Sequence, residues 1–373
     1  MDKPIRILHV IGAMNCGGAE TMIMNLYRNI DREKIQFDFL VHTEKECFFN
    51  AEIRELGGKI YSVPRFNLIN LFRYKKALKK FFGEHLEYTA VHGHIGSSAC
   101  IYLNIAKKYG MFAIAHSHNT NSTEISLKNV LYRLFSLKTR RVADCFFACS
   151  KDAGADRFGK RITNSNNFSV IQNAIETDGF VYNESVRLKV REELGFSDEF
   201  IVGHIGRFSY QKNHEYLLRV FAEILKLNKN AILLLLGDGE LREEIERKIS
   251  ELNLNEHVVL AGVRKDANRF LNAMDCFVFP SHFEGLGIVA VEAQCNGLPC
   301  FINETFPTEL DINSNLHRLS LQSGPDVWAK EIVENAKRIP ADEAVENVRR
   351  AGYDIKQIAK KLESFYCNIG NKK

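Results

Sequence analysis

The sequence predicts an α/β protein built as two Rossmann-like halves, each a parallel sheet flanked by helices. Three observations carry that prediction. Short apolar runs alternate with amphipathic segments along the whole chain. The runs are nearly continuous in apolar residues, as strands buried on both faces are. The 373 residues exceed what one such core serves, since chains divide at ~100–200 residues per domain.

The first series of strands is read at 5–11, 36–41, 59–63, 89–92, 111–115, 144–148 and 168–171. Strand 5–11 holds Arg6 and His9 and is too short for the apolar region of a secretory leader, so it reads as a buried first strand. Segments 19–30, 71–82 and 98–109 carry apolar residues at helical spacing. The second series opens at 200–205 and continues at 231–236, 257–260, 276–279 and 299–302. Its helices are read at 214–227, 239–252, 265–273 and 287–296. The polar stretch 173–199 separates the series and reads as a linker.

Charge and cysteine bound the function classes. There are 50 Lys and Arg against 46 Asp and Glu, a net +4 that demands no nucleic-acid partner. Residues 1–180 hold 25 basic and 17 acidic side chains, so the front half favours an anionic partner unless the split is surface decoration. The nine cysteines form no C-x-x-C and mostly sit in apolar runs, as reduced thiols of a cytoplasmic protein do. No run approaches the ~18 apolar residues of a membrane helix.

Ligands of open parallel sheets bind at the carboxyl ends of strands, so the residues after each strand matter most. Asn15-Cys16-Gly17-Gly18-Ala19-Glu20 follows the first strand. Gly93-His94, His116-Ser117-His118-Asn119, Gly206-Arg207, Gly237-Asp238-Gly239 and Pro280-Ser281-His282-Phe283-Glu284-Gly285-Leu286-Gly287 follow later ones. No G-x-G-x-x-G follows the first strand, and Gly18-Ala19 stands where a P-loop needs Lys-Ser/Thr. Asp-x-Asp, G-x-S-x-G and H-E-x-x-H are absent.

Glu284 and Glu292 bracket the most informative segment. Gly285 and Gly287 let amides at a helix N-terminus approach an anion, which the helix dipole favours. Carboxylates repel phosphate, so Glu284 and Glu292 suit neutral hydroxyls. One ligand meets both demands: a nucleotide diphosphate with ribose on one side and sugar on the other. The bland alternative is an ordinary capping acid and a surface Glu. Arg207 and Lys212 offer a planar fork and a point charge for the diphosphate, or else are two solvated loop cations. His92/His94 and His116/His118 sit at i, i+2 and share strand faces. Convergence of the four would suit zinc, but no Cys or carboxylate spacing completes such a site, so no metal is assigned. Segment 71–82 is basic and aromatic, and reads either as a surface helix drawn to anionic lipid or as a solvated helix with an apolar stripe. In it Leu71, Phe72, Lys75, Leu78, Lys79 and Phe82 mix along one face.

These residues together resemble glycosyltransferase family 4, the retaining, metal-independent transferases of GT-B fold. The resemblance runs over nearly the whole chain. It rests on Gly17-Gly18-Ala19-Glu20, Ala148-Cys149-Ser150, Val170-Ile171-Gln172-Asn173-Ala174-Ile175, Gly206-Arg207 with Lys212, Gly237-Asp238-Gly239, and Glu284 with Glu292. It implies two facing Rossmann-like domains with the active site in the cleft between them: an acceptor domain at 1–180, a nucleotide-sugar domain at 181–354, and a last segment of about 355–373 crossing back onto the first. It implies that Arg207 and Lys212 hold the diphosphate and that Glu284 binds the donor sugar. Amides from Gly285, Leu286, Gly287 and Ile288 would face the donor, and Glu292 the ribose. His118 would lie near the reaction centre; Gly17, Gly18 and Asn173 would contact the donor, and Val263 would lie near the base. The donor implied is a UDP-sugar and the acceptor a saccharide, free or lipid-linked, with no cofactor and no nucleic acid. Asn213 stands where the family often has glycine, and Ala174 likewise in Asn173-Ala174-Ile175. Residues Ala115-His116-Ser117-His118-Asn119-Thr120 resemble transferases of bacterial exopolysaccharide and capsule assembly, enzymes of the cytoplasm or the inner face of the cell membrane. The competing readings are a sugar-nucleotide epimerase on the same scaffold and a non-catalytic nucleotide-sugar sensor.

Overall fold

The computed structural model describes residues 3–15, 17–118 and 136–371. Cys16, Asn119, Thr120 and the end of the last segment, at 372–373, lie outside the described residues. The chain forms two compact units, Met1–Ile175 with Asp354–Lys373, and Glu176–Tyr353.

The first unit is built on a seven-stranded sheet: β1 (Ile5–Ile11), β2 (Ile35–Val41), β3 (Ile60–Ser62), β4 (Tyr88–Gly93), β5 (Phe112–Ser117), β6 (Cys145–Ala148) and β7 (Phe168–Val170). Their order is β3-β2-β1-β4-β5-β6-β7, and every neighbouring pair is parallel. Each residue of β2 is buried, Asp38 included. That carboxylate is satisfied by Arg6, which donates to both oxygens at 2.6 and 2.7 Å, by the Tyr88 hydroxyl at 2.9 Å and by the Lys59 amide at 2.7 Å, as a buried charge requires. One core joins Ile7, Ile23, Tyr27 and Phe37 to Ile355, Ile358, Leu362, Tyr366 and Ile369. The last five lie on the helix Ile355–Gly370, at the 3- and 4-residue spacing of one helical face. The other core holds Leu8, Leu40, Tyr74, Leu78, Val91 and Tyr102.

The second unit carries six parallel strands: β8 (Phe200–Ile205), β9 (Ala231–Leu236), β10 (Val258–Gly262), β11 (Cys276–Phe279), β12 (Cys300–Asn303) and β13 (Leu316–Leu319). Their order is β10-β9-β8-β11-β12-β13. The run Ala231–Leu236 is buried throughout. In both sheets the chain starts at the centre and reverses its direction of growth, between β1 and β4 and between β8 and β11. Those switch points open a crevice at the carboxyl ends of the strands, where ligands of such sheets bind.

Two readings need correction. Stretch 173–199 is not a bare linker: it contains a helix, Glu184–Leu194, that buries Val190 and Arg191 against the second unit. Its contact face is cationic, which hydropathy does not detect. Arg187 Nη1 donates to the carbonyls of Asn272, Ala273 and Met274 at 3.0–3.1 Å, and Nη2 to Asp275 at 2.6 Å. The mixed face read for segment 71–82 also separates. Helix Leu71–Glu84 buries Tyr74, Leu78, Phe81 and Phe82, while Phe72 stands exposed.

The eight cysteines among the described residues are free thiols. No helix of the described residues is long and apolar enough to cross a membrane.

Candidate active site

At the β8/β11 switch point, two loops are tied together. The loop after β8 carries Arg207 and Lys212; the loop after β11 carries Glu284. Gln211 Nε2 donates to the Phe283 carbonyl at 3.0 Å, the His282 amide to the Gln211 carbonyl at 2.9 Å, and Asn213 Nδ2 to the Pro280 carbonyl at 3.1 Å. Asn213 sits at φ 53°. Asparagine tolerates this left-handed region better than most residues, which accounts for it where the family often has glycine. Gly237 makes a second close approach: a Cβ there would lie 2.0 Å from the Gly206 carbonyl oxygen.

The tie brings two predicted residues into contact. Lys212 Nζ donates to Glu284 Oε1 at 2.7 Å, both side chains largely buried, and Nζ lies 4.5 Å from the Phe279 ring centre. The ammonium fixes one carboxylate oxygen; the other has no partner among the described residues. Gly287 (φ 77°) turns the chain into the helix Ile288–Cys295. The amides of Gly285, Leu286, Gly287 and Ile288 donate to no carbonyl among the described residues. Gly287 and Ile288 are among the orphan donors that every helix start presents, and Gly285 and Leu286 are free amides of the loop just before it. Glu292, in the second turn of that helix, has no side-chain partner among the described residues, and burial pushes its carboxyl up to about 7. An unpaired carboxylate in that state is a ready acceptor for hydroxyls. Arg207 is not in this cluster: its exposed guanidinium donates to Glu240 at 2.9 Å. Val263, on the turn after β10, is 77% exposed.

At the β1/β4 switch point lies a cavity of about 370 Å³ bordered by Gly12, Glu20, His94, His116, His118 and Arg157. Gly17 and Gly18 begin the helix Gly18–Asn29 beside it without lining it. Sheet register does more here than sequence spacing shows. His9 on β1 is paired with His92 on β4, and β5 lies next to β4. Five imidazoles therefore gather on one face: His94 lies 2.9 Å from His9 and 2.7 Å from His118 between ring nitrogens, and His92 lies 3.1 Å from His116. The His92 ring also meets the Tyr366 hydroxyl at 2.7 Å. Burial holds all five neutral, His118 at about 4 and His9 at about 3; the Asn173 carboxamide partly restores basicity at His118.

The sequence therefore placed two groups of residues. Lys212, Glu284, the four amides and Glu292 belong to the second unit, and His118 with Asn173 to the first. It named His9 and Glu20 without giving either a role, and did not single out Arg157. His9 was visible as a polar residue inside an apolar strand, but only strand order puts it beside His94. Arg157 lies on the helix Lys151–Phe158, and no motif marked it. In the other departure from the family, Ala174 is simply buried in the first unit's core.

Comparison with known proteins finds matches along nearly the whole chain. The family model described as "Glycosyltransferase Family 4" matches residues 16–178, and the one described as "Glycosyl transferases group 1" matches residues 186–354. EpsF of Bacillus subtilis (strain 168), which its name calls a glycosyltransferase, is 34% identical over 378 residues, covering 99% of this chain and 97% of its own length. A UDP-Gal:alpha-D-GlcNAc-diphosphoundecaprenol alpha-1,3-galactosyltransferase of Escherichia coli is 26% identical over 255 residues, 64% of this chain and 61% of that protein. Among solved structures, Anabaena Alr3699/HepE in complex with UDP shares the fold at a TM-score of 0.80 and 17% identity, covering 98% of this chain and 100% of that one. The chain belongs to the glycosyltransferases, joining a family 4 region to a group 1 region in the two parallel-sheet units of the GT-B fold.

Proposed function

We propose that this glycosyltransferase moves a sugar from a UDP-sugar to a saccharide hydroxyl, with retention at the anomeric carbon and no metal ion at the donor site. The second unit then holds the donor and the first the acceptor. The observation that carries the reading is the arrangement after β11: a Lys212–Glu284 pair at 2.7 Å, four undonated amides, and the unpartnered Glu292 one turn on. Amides and Lys212 suit a diphosphate, the free Glu284 oxygen a sugar hydroxyl, and Glu292 the ribose diol. Arg207 reaches the diphosphate by leaving Glu240.

Charge develops on the departing diphosphate, so donors preorganised around it contribute most to catalysis. The bond from the anomeric carbon to the phosphate oxygen breaks while a bond to the acceptor oxygen forms on the same face. The acceptor proton passes to the phosphate oxygen, so no side-chain base is needed. His118, held neutral by burial, assists as a hydrogen-bonding group. UDP is bound in the Anabaena structure, and the E. coli relative's name pairs a UDP-sugar with a lipid diphosphate acceptor. Both support a UDP donor, and the second also a lipid-linked saccharide acceptor, which fits surface polysaccharide assembly at the inner face of the cell membrane.

Calorimetry with UDP-, GDP- and ADP-sugars in EDTA tests the reading. Only UDP-sugars bind, EDTA changes nothing, and Arg207→Ala, Lys212→Ala and Glu284→Ala each lower turnover by ~10²-fold or more. Binding that requires a divalent ion, or near-normal turnover in the three variants, would sink it.

The exposed face of helix Leu71–Glu84 supports the membrane setting. Phe72 is 87% exposed beside Lys75, Lys76, Lys79 and Lys80, and Ile69 just before the helix is 94% exposed. Apolar anchors among lysines suit an anionic surface, each cation contributing about 1 kcal/mol. The chain pellets with anionic vesicles and not with neutral ones, and Phe72→Ser with Ile69→Ser releases it; equal pelleting on both vesicle types counts against the contact.

A further inference from the structure

We propose that His94, His116 and His118 form a binding site for a zinc-class transition-metal ion, opening onto the cavity beside Glu20. Spacing alone had assigned no metal; the sheet supplies what spacing lacked. One nitrogen from each of the three rings lies within 4.8 Å of the others. All three histidines border the cavity, and so does Glu20. His116 is 3% exposed, and its Nε2 has no hydrogen-bond partner. A buried ring nitrogen without a partner costs free energy that a ligand would recover.

The surrounding shell fits the same assignment. Metal-binding histidines donate their second ring N–H to a fixed acceptor, which sets the tautomer. Two of the three have such a neighbour. With His94 Nδ1 toward the ion, its Nε2 faces His9 Nδ1 at 2.9 Å. With His116 Nε2 toward the ion, its Nδ1 faces His92 Nε2 at 3.1 Å, and His92 Nδ1 in turn meets the Tyr366 hydroxyl at 2.7 Å. With His118 Nε2 toward the ion, its Nδ1 is buried without a hydrogen-bond partner. The ion replaces the 2.7 Å contact between His94 Nδ1 and His118 Nε2, and the proton shared there moves to a far nitrogen. Three imidazoles, with Glu20 or water in the fourth position, make the tetrahedral set zinc takes, at about 2.0–2.1 Å per nitrogen. The alternative triad His9, His92 and His94 shares His94, but its first two rings do not border the cavity.

The site uses only first-unit residues and is independent of the donor reading. One consequence rests on that reading: an ion on His118 ties up the ring placed near the reaction, so the metal-free chain is the faster transferase.

The test is equilibrium dialysis of the EDTA-treated full chain against Co²⁺ and Zn²⁺, with Co²⁺ absorption as the readout of geometry. The wild type binds one ion per chain with the intense visible bands of a tetrahedral site. His116→Gln and His94→Gln abolish binding, and His9→Gln weakens it ~10- to 100-fold. Glu284→Gln, in the donor site, binds the ion unchanged, so failure of the donor reading leaves this result standing. If the histidine variants do not fold, X-ray absorption on the zinc-loaded wild type decides, with three imidazole nitrogens expected. No stoichiometric binding, binding unaltered in folded His116→Gln, or a zinc shell of sulfur or oxygen alone overturns the proposal.

Discussion

Glu292 is a residue on which binding and stability pull in opposite directions. Burial raises its carboxyl from 4.5 to about 7. Between those values the folded chain holds a proton that the unfolded chain has released. The favourable state is therefore the protonated one, and stability is lost as pH rises through that window. Glutamine is isosteric and does not titrate. Glu292→Gln should be more stable than wild type at pH 8 by ~3 kcal/mol relative to the difference at pH 4, read as the melting-temperature gap at the two values. The same variant should bind UDP more weakly, because an amide offers one acceptor to the ribose diol where a carboxylate offers two. Identical pH dependence of stability in both proteins would mean that the carboxylate is solvated and the ribose contact is misassigned. A residue left unpaired at a cost to the fold is the sort that function retains.

At the scale of elements, the sheets were legible and some of what covers them was not. Strands such as 231–236 announce themselves because burial on both faces leaves no polar alternation to blur them. Strand β13 went unread because Leu316-His317-Arg318-Leu319 has two polar residues at its centre, fits neither a continuous apolar run nor an alternation, and is nowhere fully buried. Helix Glu184–Leu194 went unread because arginines, not leucines, make its contact face. Arg191 is 4% exposed and donates to the Ala273 carbonyl at 3.1 Å, to the Ser197 and Glu199 carbonyls at 3.0 Å and to Asp275 at 2.7 Å. Hydropathy scores such a side chain as surface, yet its donors satisfy a carbonyl at the end of helix Ala267–Ala273, two loop carbonyls and a carboxylate. Arg191→Ala should destabilise the second unit by ~3 kcal/mol, read as a lowered denaturant midpoint. Arg191→Lys should recover little, because one ammonium cannot reach four acceptors. Full recovery by lysine would mean that charge, not the fork, holds the helix.

At the scale of the whole molecule, the order of the chain and the order of the cores differ. Motifs and strands lie in sequence, so the site was largely readable as residues following strands. The histidine face was not, because it needs β1, β4 and β5 side by side and the ring of Tyr366 from the far end of the chain. That end is also what makes the first unit discontinuous. Ile355, Ile358, Leu362, Tyr366 and Ile369 are buried with Ile7, Ile23 and Phe37. At ~1.5–3 kcal/mol per buried side chain, the five together approach the ~5–15 kcal/mol that keeps a whole domain folded. Removing Asp354–Lys373 should therefore unfold residues 1–175 and leave 176–353 folded, since the second unit has its own core around Val202, Leu233, Val278 and Trp328. Activity would not separate these outcomes, because either unit's loss abolishes transfer. Hydrogen exchange followed by peptide mass spectrometry does: protection should vanish from β1, β4 and β5 and persist in β8, β9 and β11. The milder Tyr366→Phe keeps the packing and removes only the hydroxyl at His92, so it should cost ~1 kcal/mol and leave every strand protected. Loss of protection in β8, β9 and β11 on truncation would mean that the second core depends on the first, and that the two units are one cooperative body.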